Sequence, residues 1–212
     1  MRKKLAVLTG AGMSAESGIA TFRDSGGLWE QYPVEQVATP EGFTANPELV
    51  LNFYNMRRRE LMNAKPNAGH YGLAAMEKDF DVHIITQNID NLHEQAGSTN
   101  VLHLHGELMK VRSTGDDSLV YDIDPAHIDI HPGDTCEKGF QLRPHIVWFG
   151  EAVPMIYEAE RICTQADIFV DIRKNVPVYL IDPKDVHTNR YNIHHIRKGA
   201  SEGVKELKEL LR

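Results

Sequence analysis

Several groups of residues in this chain have the types and spacing to do chemistry. Gly10-Ala11-Gly12-Met13-Ser14-Ala15-Glu16-Ser17-Gly18 follows a short apolar run. Glycines there let backbone N–H groups approach a pyrophosphate at a helix N-terminus, and they equally suit a plain tight turn. Tyr54 and Arg57 stand three apart, on one face if their segment is helical. A guanidinium holds a carboxylate bidentately and a phenol adds a third hydrogen bond, so the pair suits a negatively charged ligand. By spacing alone, Arg57 to Arg59 also reads as a solvated charge cluster. His105 carries an imidazole, which can accept a hydroxyl proton at neutral pH, although an isolated histidine is more often structural. His103 points to the opposite face if the segment is extended, and reads as structural. Cys136 with His127 and His131 lacks paired spacing and a fourth ligand, so no metal is expected.

Something must position these groups. Residues 5–8 form a short apolar run ending in the Gly-rich turn, and residues 14–18 offer capping and small residues that could open a helix, giving strand, loop, helix. Further runs at 82–86, 145–149, 168–172 and 178–181 are short and rich in β-branched residues, as in strands covered by helices on both faces. Helix-like stretches lie at 47–63, 69–78 and 153–164. The alternation predicts an α/β fold with a doubly wound, Rossmann-like parallel sheet. Residues 113–141, with Gly-Asp-Asp, Pro125 and Pro132, break the pattern and read as a small inserted module.

Composition narrows the function classes. With 42% hydrophobic and 25% charged residues in 212, the chain can bury one sizeable core, so residues 1–212 are expected to form a single domain around that insert. A net charge of -7 repels phosphate backbones, so no specific nucleic-acid partner is expected. The basic start Met1-Arg2-Lys3-Lys4 is followed by an apolar run that ends within a few residues, and no run approaches the ~18 apolar residues of a membrane span. Cys136 and Cys163 form no CxxC pair and no disulfide framework. A cytoplasmic location without membrane partners is expected, and nothing fixes the oligomeric state.

The Gly-rich loop does not stand alone. It continues as GAGMSAESGIATFRD over 10–24, and TQNIDNLH (86–93), LHGE (104–107) and WFGE (148–151) follow in order, with YLIDP (179–183) and KGAS (198–201) beyond. In this set and order the chain resembles the sirtuins, NAD-dependent protein-lysine deacylases. The resemblance implies transfer of an acyl group from a lysine side chain to the ADP-ribose part of NAD, releasing nicotinamide, with acyl-lysine proteins or peptides as partners.

The resemblance also implies roles. His105 becomes the general base, taking a ribose hydroxyl proton so that the oxygen can attack the acyl carbon. Gly10, Ala11, Gly12, Ser14, Ala15 and Glu16 belong to the cofactor loop, with Phe22 screening the reacting ribose from water and Arg23 ordering loop and phosphates. Gln87, Asn88, Ile89 and Asp90 form the nicotinamide pocket, where an amide and a carboxylate match the donors and acceptor of a carboxamide. Ala200 also faces the cofactor. Val147, Phe149 and Gly150 belong to a segment that pairs with the substrate peptide as an added strand. Tyr54 and Arg57 match the residues that recognise the distal carboxylate of succinyl or malonyl groups, and Ala38 before Thr39-Pro40 widens that acyl pocket. Desuccinylation is therefore expected, with deacetylation as a second activity.

The chain departs from the family in two places. Many sirtuins carry four zinc-binding cysteines after the catalytic histidine; here Ser113 and Thr114 stand in that region and only Cys136 follows. The insert is then expected to be held by packing alone or to be mobile. After Ala166-Asp167-Ile168-Phe169-Val170, only a few residues precede Val178, too few for the crossover of about a dozen that parallel strands need. A stretch omitted from the sequence is the favoured explanation. A real deletion would favour an NAD- or ADP-ribose-binding protein with impaired catalysis, and mono-ADP-ribosyl transfer is a further alternative.

Overall fold

The computed structural model describes residues 2–19, 32–168, 177–186 and 193–211. Its elements begin with β1 (Lys4–Thr9), α1 (Ala11–Ala15), α2 (Val34–Val37), α3 (Pro40–Ala45), α4 (Pro47–Asn63) and α5 (Ala68–Met76). There follow β2 (Asp81–Thr86), α6 (Leu92–Gln95), β3 (Val101–His103), β4 (Gly106–Ser113), β5 (Val120–Asp122) and β6 (Leu142–Ile146). The chain continues with α7 (Ile156–Gln165), β7 (Val178–Ile181), β8 (Ile193–Ile196) and α8 (Ala200–Leu210).

β1 lies parallel to β2, with Lys4 opposite Asp81 and Thr9 opposite Thr86, and β2 lies parallel to β3. On the other edge of β1, Leu5 bridges in parallel to Ile168, and the Ala6 N–H donates to the Ile168 carbonyl at 3.2 Å. β7 and β8 also pair in parallel. Alternate residues of these strands face opposite layers. Leu5, Val82 and Ile84 pack with Leu73 and Met76 of α5 and Val204 and Leu207 of α8. Ala6 and Ile85 pack with Ala159 and Ile162 of α7. Helices thus cover both faces, the Rossmann-like α/β arrangement expected from the alternating pattern.

A second layer system sits beside this sheet. β4 pairs antiparallel with both β5 and β6, and the inner residues Leu108 of β4 and Ile146 of β6 join Val50, Phe53, Tyr54 and Leu61 of α4 in a separate core. α4 starts cleanly because the Asn46 side chain accepts from Leu49 N–H and Pro47 fills the first turn, where a missing N–H costs nothing.

The structure corrects three local expectations. The strand placed at 145–149 ends at Ile146 and belongs to the antiparallel sheet, because the chain returns from the insert directly beside β4. The first helix opens at Ala11, with Gly10 at its N-cap in extended conformation, so Ser14 lies inside it. The insert is not held by packing alone. Arg58, fully buried, donates from Nη1 to the Ile128 carbonyl at 3.5 Å, and Asn55 exchanges hydrogen bonds with the backbone of Ile130 at 2.9 and 3.0 Å. At its root, the buried Ser113 hydroxyl accepts from the Cys136 thiol and from the N–H groups of Gly115 and Asp116. Of the run expected at 168–172, only Ile168 lies within the described residues, and the short link before Val178 lies outside them.

Candidate active site

The C-terminal ends of β1 and β2 open into a cleft of about 1140 Å³, the place where open α/β sheets bind ligands. Gly10, Ala11, Gly12, Ala15 and Glu16 line it from the first turn, Gln87, Asn88 and Ile89 from the end of β2, and Ala200 from α8. His105, Ala38, Tyr54, Arg57, Val147, Phe149 and Gly150 line it from the side of the second core. Ser14 and Asp90 border a small adjoining cavity, which Arg57, Asn88 and Ile89 share. Phe22 and Arg23 lie outside the described residues. The sequence-expected residues that are described therefore converge on one place.

The turn after β1 leaves room beside its backbone. A Cβ built on Gly10 or Gly12 would meet no described residue within 4 Å. Packing against the described residues does not demand glycine there, and room lies over the backbone. Below it, the Asn88 side-chain amide donates to the Gly10 carbonyl at 3.0 Å and to the Ser14 hydroxyl at 3.1 Å, and that hydroxyl donates to Asp90 Oδ2 at 2.9 Å. Asp90 Oδ1 accepts from Leu92 N–H. The first turn and the β2 exit are thereby locked into one unit.

His105 follows Leu104, whose N–H donates to the Thr86 carbonyl, so the end of the sheet fixes its backbone. Its Nδ1 lies 3.0 Å from the Gln87 carbonyl. A carbonyl can only accept, so Nδ1 carries the proton and the neutral ring presents Nε2 as its basic nitrogen. Gly106 comes next with φ 81, and a Cβ there would collide with the His145 carbonyl. Only glycine lets β4 and β6 close behind the histidine.

His103 and His93 are held differently. His103 places Nδ1 against the Asn88 carbonyl and Nε2 at 2.8 Å from Glu94. Burial opposes its charge, but the Glu94 carboxylate outweighs burial and raises it above the usual imidazole range. His93 is buried against His70, with ring centroids 4.8 Å apart, and meets the Thr9 hydroxyl through Nε2. Burial, reinforced by the His70 ring, pushes it down to about 3, and burial lowers His70 as well. Below about pH 6.5 an unfolded chain takes up protons that these buried rings refuse, so stability present above that pH is lost as pH falls toward 3. From His93 alone, unfolding should cost about 2 kcal/mol less at pH 5 than at pH 7. Urea melts at the two pH values check this, and His93→Gln should remove most of the difference; an unchanged slope would place the acid sensitivity elsewhere.

The opposite wall of the cleft is built on α4. Arg57 is 4% exposed and Arg58 0%, whereas Arg59 is exposed and pairs with Asp129. The three arginines are thus not one solvated cluster: Arg57 faces the cleft, Arg58 the core and Arg59 the insert. The Tyr54 hydroxyl accepts from Trp148 Nε1 at 2.9 Å, and burial raises the phenol well above its usual range, so it keeps a proton to donate. Arg143 stacks on Trp148 at 3.4 Å and pairs with Glu151, which also accepts from the Trp148 N–H. Sequence reasoning missed Arg143, Trp148 and Glu151 as supports of Tyr54, because no spacing rule links 54, 143, 148 and 151. Val147 N–H and Phe149 N–H donate to the His105 and Ala38 carbonyls. With the Trp148 N–H taken by Glu151, the N–H groups of 147–149 are committed inside the protein. The Glu151 N–H is likewise taken, by the Trp148 carbonyl at 3.0 Å.

Comparison with known proteins gives the same picture. The model of the Sir2 family matches residues 10–179. An NAD-dependent protein deacylase of Bacteroides thetaiotaomicron is 56% identical, covering 99% of this chain and 98% of its own length. A protein of the same description from Helicobacter pylori is 45% identical over 97% of this chain and 96% of its own. Among solved structures, a Sir2 homologue in complex with ADP-ribose is similar with a TM-score of 0.87 at 34% identity, covering 99% of this chain and 94% of that one. A Sir2 homologue in complex with NAD is similar with a TM-score of 0.84 at 35% identity, covering 100% and 91%. The matched span holds the Gly-rich turn, the Asn88–Asp90 exit and His105, and the likeness extends over nearly the whole length of these relatives: the chain belongs to the Sir2 family.

Proposed function

We propose that this chain is an NAD-dependent protein-lysine deacylase and that His105 is its general base. The observation that carries the reading is the His105 ring itself. Its Nδ1 is tied to the Gln87 carbonyl, and Nε2 is left as the proton acceptor in the cleft that Gly10, Gly12 and Asn88 also line.

The residues present fit NAD: open room over Gly10 and Gly12 suits the phosphates, and Asn88 with Asp90 offers an amide and a carboxylate to a carboxamide. Bound NAD supplies a ribose carbon that becomes electrophilic as nicotinamide departs. Ala11, Ser14, Ala15, Glu16, Gln87, Ile89 and Ala200 complete the cofactor surface, with Phe22 and Arg23 as its cover. His105 takes the ribose hydroxyl proton at Nε2 so that this oxygen can attack the acyl carbon. One water is consumed, and the products are nicotinamide, the free lysine and O-acyl-ADP-ribose. Val147, Phe149 and Gly150 flank the lysine, and Ala38, Tyr54 and Arg57 receive the acyl tail, with succinyl or malonyl as the favoured group.

The functional test is stoichiometry. With acetyl-lysine or succinyl-lysine peptides and labelled NAD, one nicotinamide should appear for each lysine unmasked, with the label on a small product. Label retained on protein would favour ADP-ribosyl transfer instead.

We also read the chain as one catalytic domain whose 113–141 insert needs no zinc. Among the described residues no group of His, Cys, Asp or Glu is placed to hold a metal ion, and Ser113 with Cys136 forms a hydrogen-bonded hub at the root of the insert. Dialysis against a chelator should leave the thermal midpoint within about 1 °C, because no metal binding is linked to folding. A drop of several degrees, restored by zinc, would overturn this reading. Acyl-lysine proteins are the partners, and among the described residues no helix is long and apolar enough to cross a membrane.

The alignment with the Bacteroides relative spans 230 positions against 212 residues here, so at least 18 residues of that relative have no counterpart in this chain. That length suits the crossover expected between Val170 and Val178, and it supports the reading that a stretch is missing from this sequence.

A further inference from the structure

Arg57 does not stand in the acyl pocket uncompensated. One turn further along α4, Glu60 places Oε2 at 2.5 Å from Arg57 Nη1. Asp90 also acts on Arg57 electrostatically, and Arg57, Glu60 and Asp90 border the same small cavity. An anionic acyl tail would therefore reach a guanidinium already facing two carboxylates. The two differ in their other duties. Asp90 is held by the Ser14 hydroxyl and the Leu92 N–H, as part of the lock between the first turn and the β2 exit. The Glu60 side chain is 43% exposed, and its hydrogen bond and ion pair among the described residues run to Arg57. Its negative charge offsets the buried guanidinium when no ligand is present, and repels a second carboxylate when one arrives.

We propose that Glu60 sets the acyl selectivity of this enzyme by tempering Arg57, weakening recognition of carboxylate-bearing acyl groups relative to neutral ones. The inference rests on the reading of Tyr54 and Arg57 as the acyl-tail site. Succinyl and butyryl chains share a four-carbon length, and only succinyl ends in a carboxylate, so comparing them separates charge from pocket volume. Glu60→Gln removes the charge and keeps the shape and a hydrogen-bond acceptor for Arg57. Because Glu60 is partly solvated, its effect is screened to the upper range of surface pairs.

The experiment is steady-state turnover of matched succinyl-lysine and butyryl-lysine peptides at saturating NAD by the unaltered chain, Glu60→Gln and Arg57→Met. Glu60→Gln is expected to raise the succinyl-to-butyryl ratio of kcat/KM about three- to fivefold, through a lower succinyl KM and not through kcat. A ratio that stays put or falls would overturn the proposal, a fall meaning that Glu60 orients Arg57 instead of tempering it. Arg57→Met tells the two levels apart. If it leaves the ratio of the unaltered chain in place, the acyl-tail reading fails and this inference with it. If it collapses the ratio while Glu60→Gln does not raise it, only the role of Glu60 fails.

Discussion

Replacing His105 with alanine is expected to lower kcat for lysine deacylation by about 10³-fold, within the range for loss of a positioned general base. The ring is fixed by its Nδ1 contact with the Gln87 carbonyl, and among the described residues that line the cleft it is the only imidazole. His103 is engaged on both nitrogens by Asn88 and Glu94, and His93 is buried with His70. The open room over Gly10 and Gly12 does not depend on the imidazole, so the variant should still bind ADP-ribose within about threefold of the unaltered protein, well under the tenfold that 1.4 kcal/mol represents. Mass-spectrometric turnover together with calorimetric ADP-ribose binding separates the cases. Retained binding with turnover lost assigns the chemistry to His105, whereas retained turnover would mean that another group takes the proton.

The second large effect concerns Arg57. A charge-assisted hydrogen bond contributes about 2 kcal/mol, so Arg57→Met should lower kcat/KM for a succinyl-lysine peptide about 30-fold. The acetyl-lysine value should move by less than about threefold, since an acetyl group has no distal charge to lose. The variant is expected to fold. Methionine fills the buried stem, the Glu60 left behind is partly solvated, and the buried Asp90 keeps its hydrogen bonds from the Ser14 hydroxyl and the Leu92 N–H. Equal losses on both peptides would indicate collapse of the pocket and not loss of recognition.

Much of this was legible in the sequence, for identifiable reasons. The strand, glycine turn and helix around Gly10 are local, and their residue types are dictated by backbone approach. The boundaries of α4 at 47–63 follow from Asn46 and Pro47, which cap and start a helix whatever the tertiary context. His105 could be picked out only through its neighbours, because a histidine's chemistry depends on what holds its other nitrogen, and Gln87 is distant in sequence. The failures share a cause. Arg58 is the most polar of residue types and sits fully buried, because carbonyls from β4 and the insert happen to converge on it. The run at 145–149 has the apolar look of a parallel strand but pairs antiparallel, since its register is set by β4. Trp148, Arg143 and Glu151 support Tyr54 across nearly a hundred positions of sequence. Contacts of that kind exist only once the chain has folded.

Three adjacent arginines on α4 serve three directions, into the cleft, into the core and onto the insert. Successive residues of a helix are turned by about 100°, so inserting or deleting one codon before Arg57 would redirect all three at once. Substrate recognition, core satisfaction and the anchoring of the insert would be lost in a single event. Length changes among relatives should therefore accumulate in the surface loops of 114–141 and avoid 47–58, a pattern that a deep alignment of the family can check.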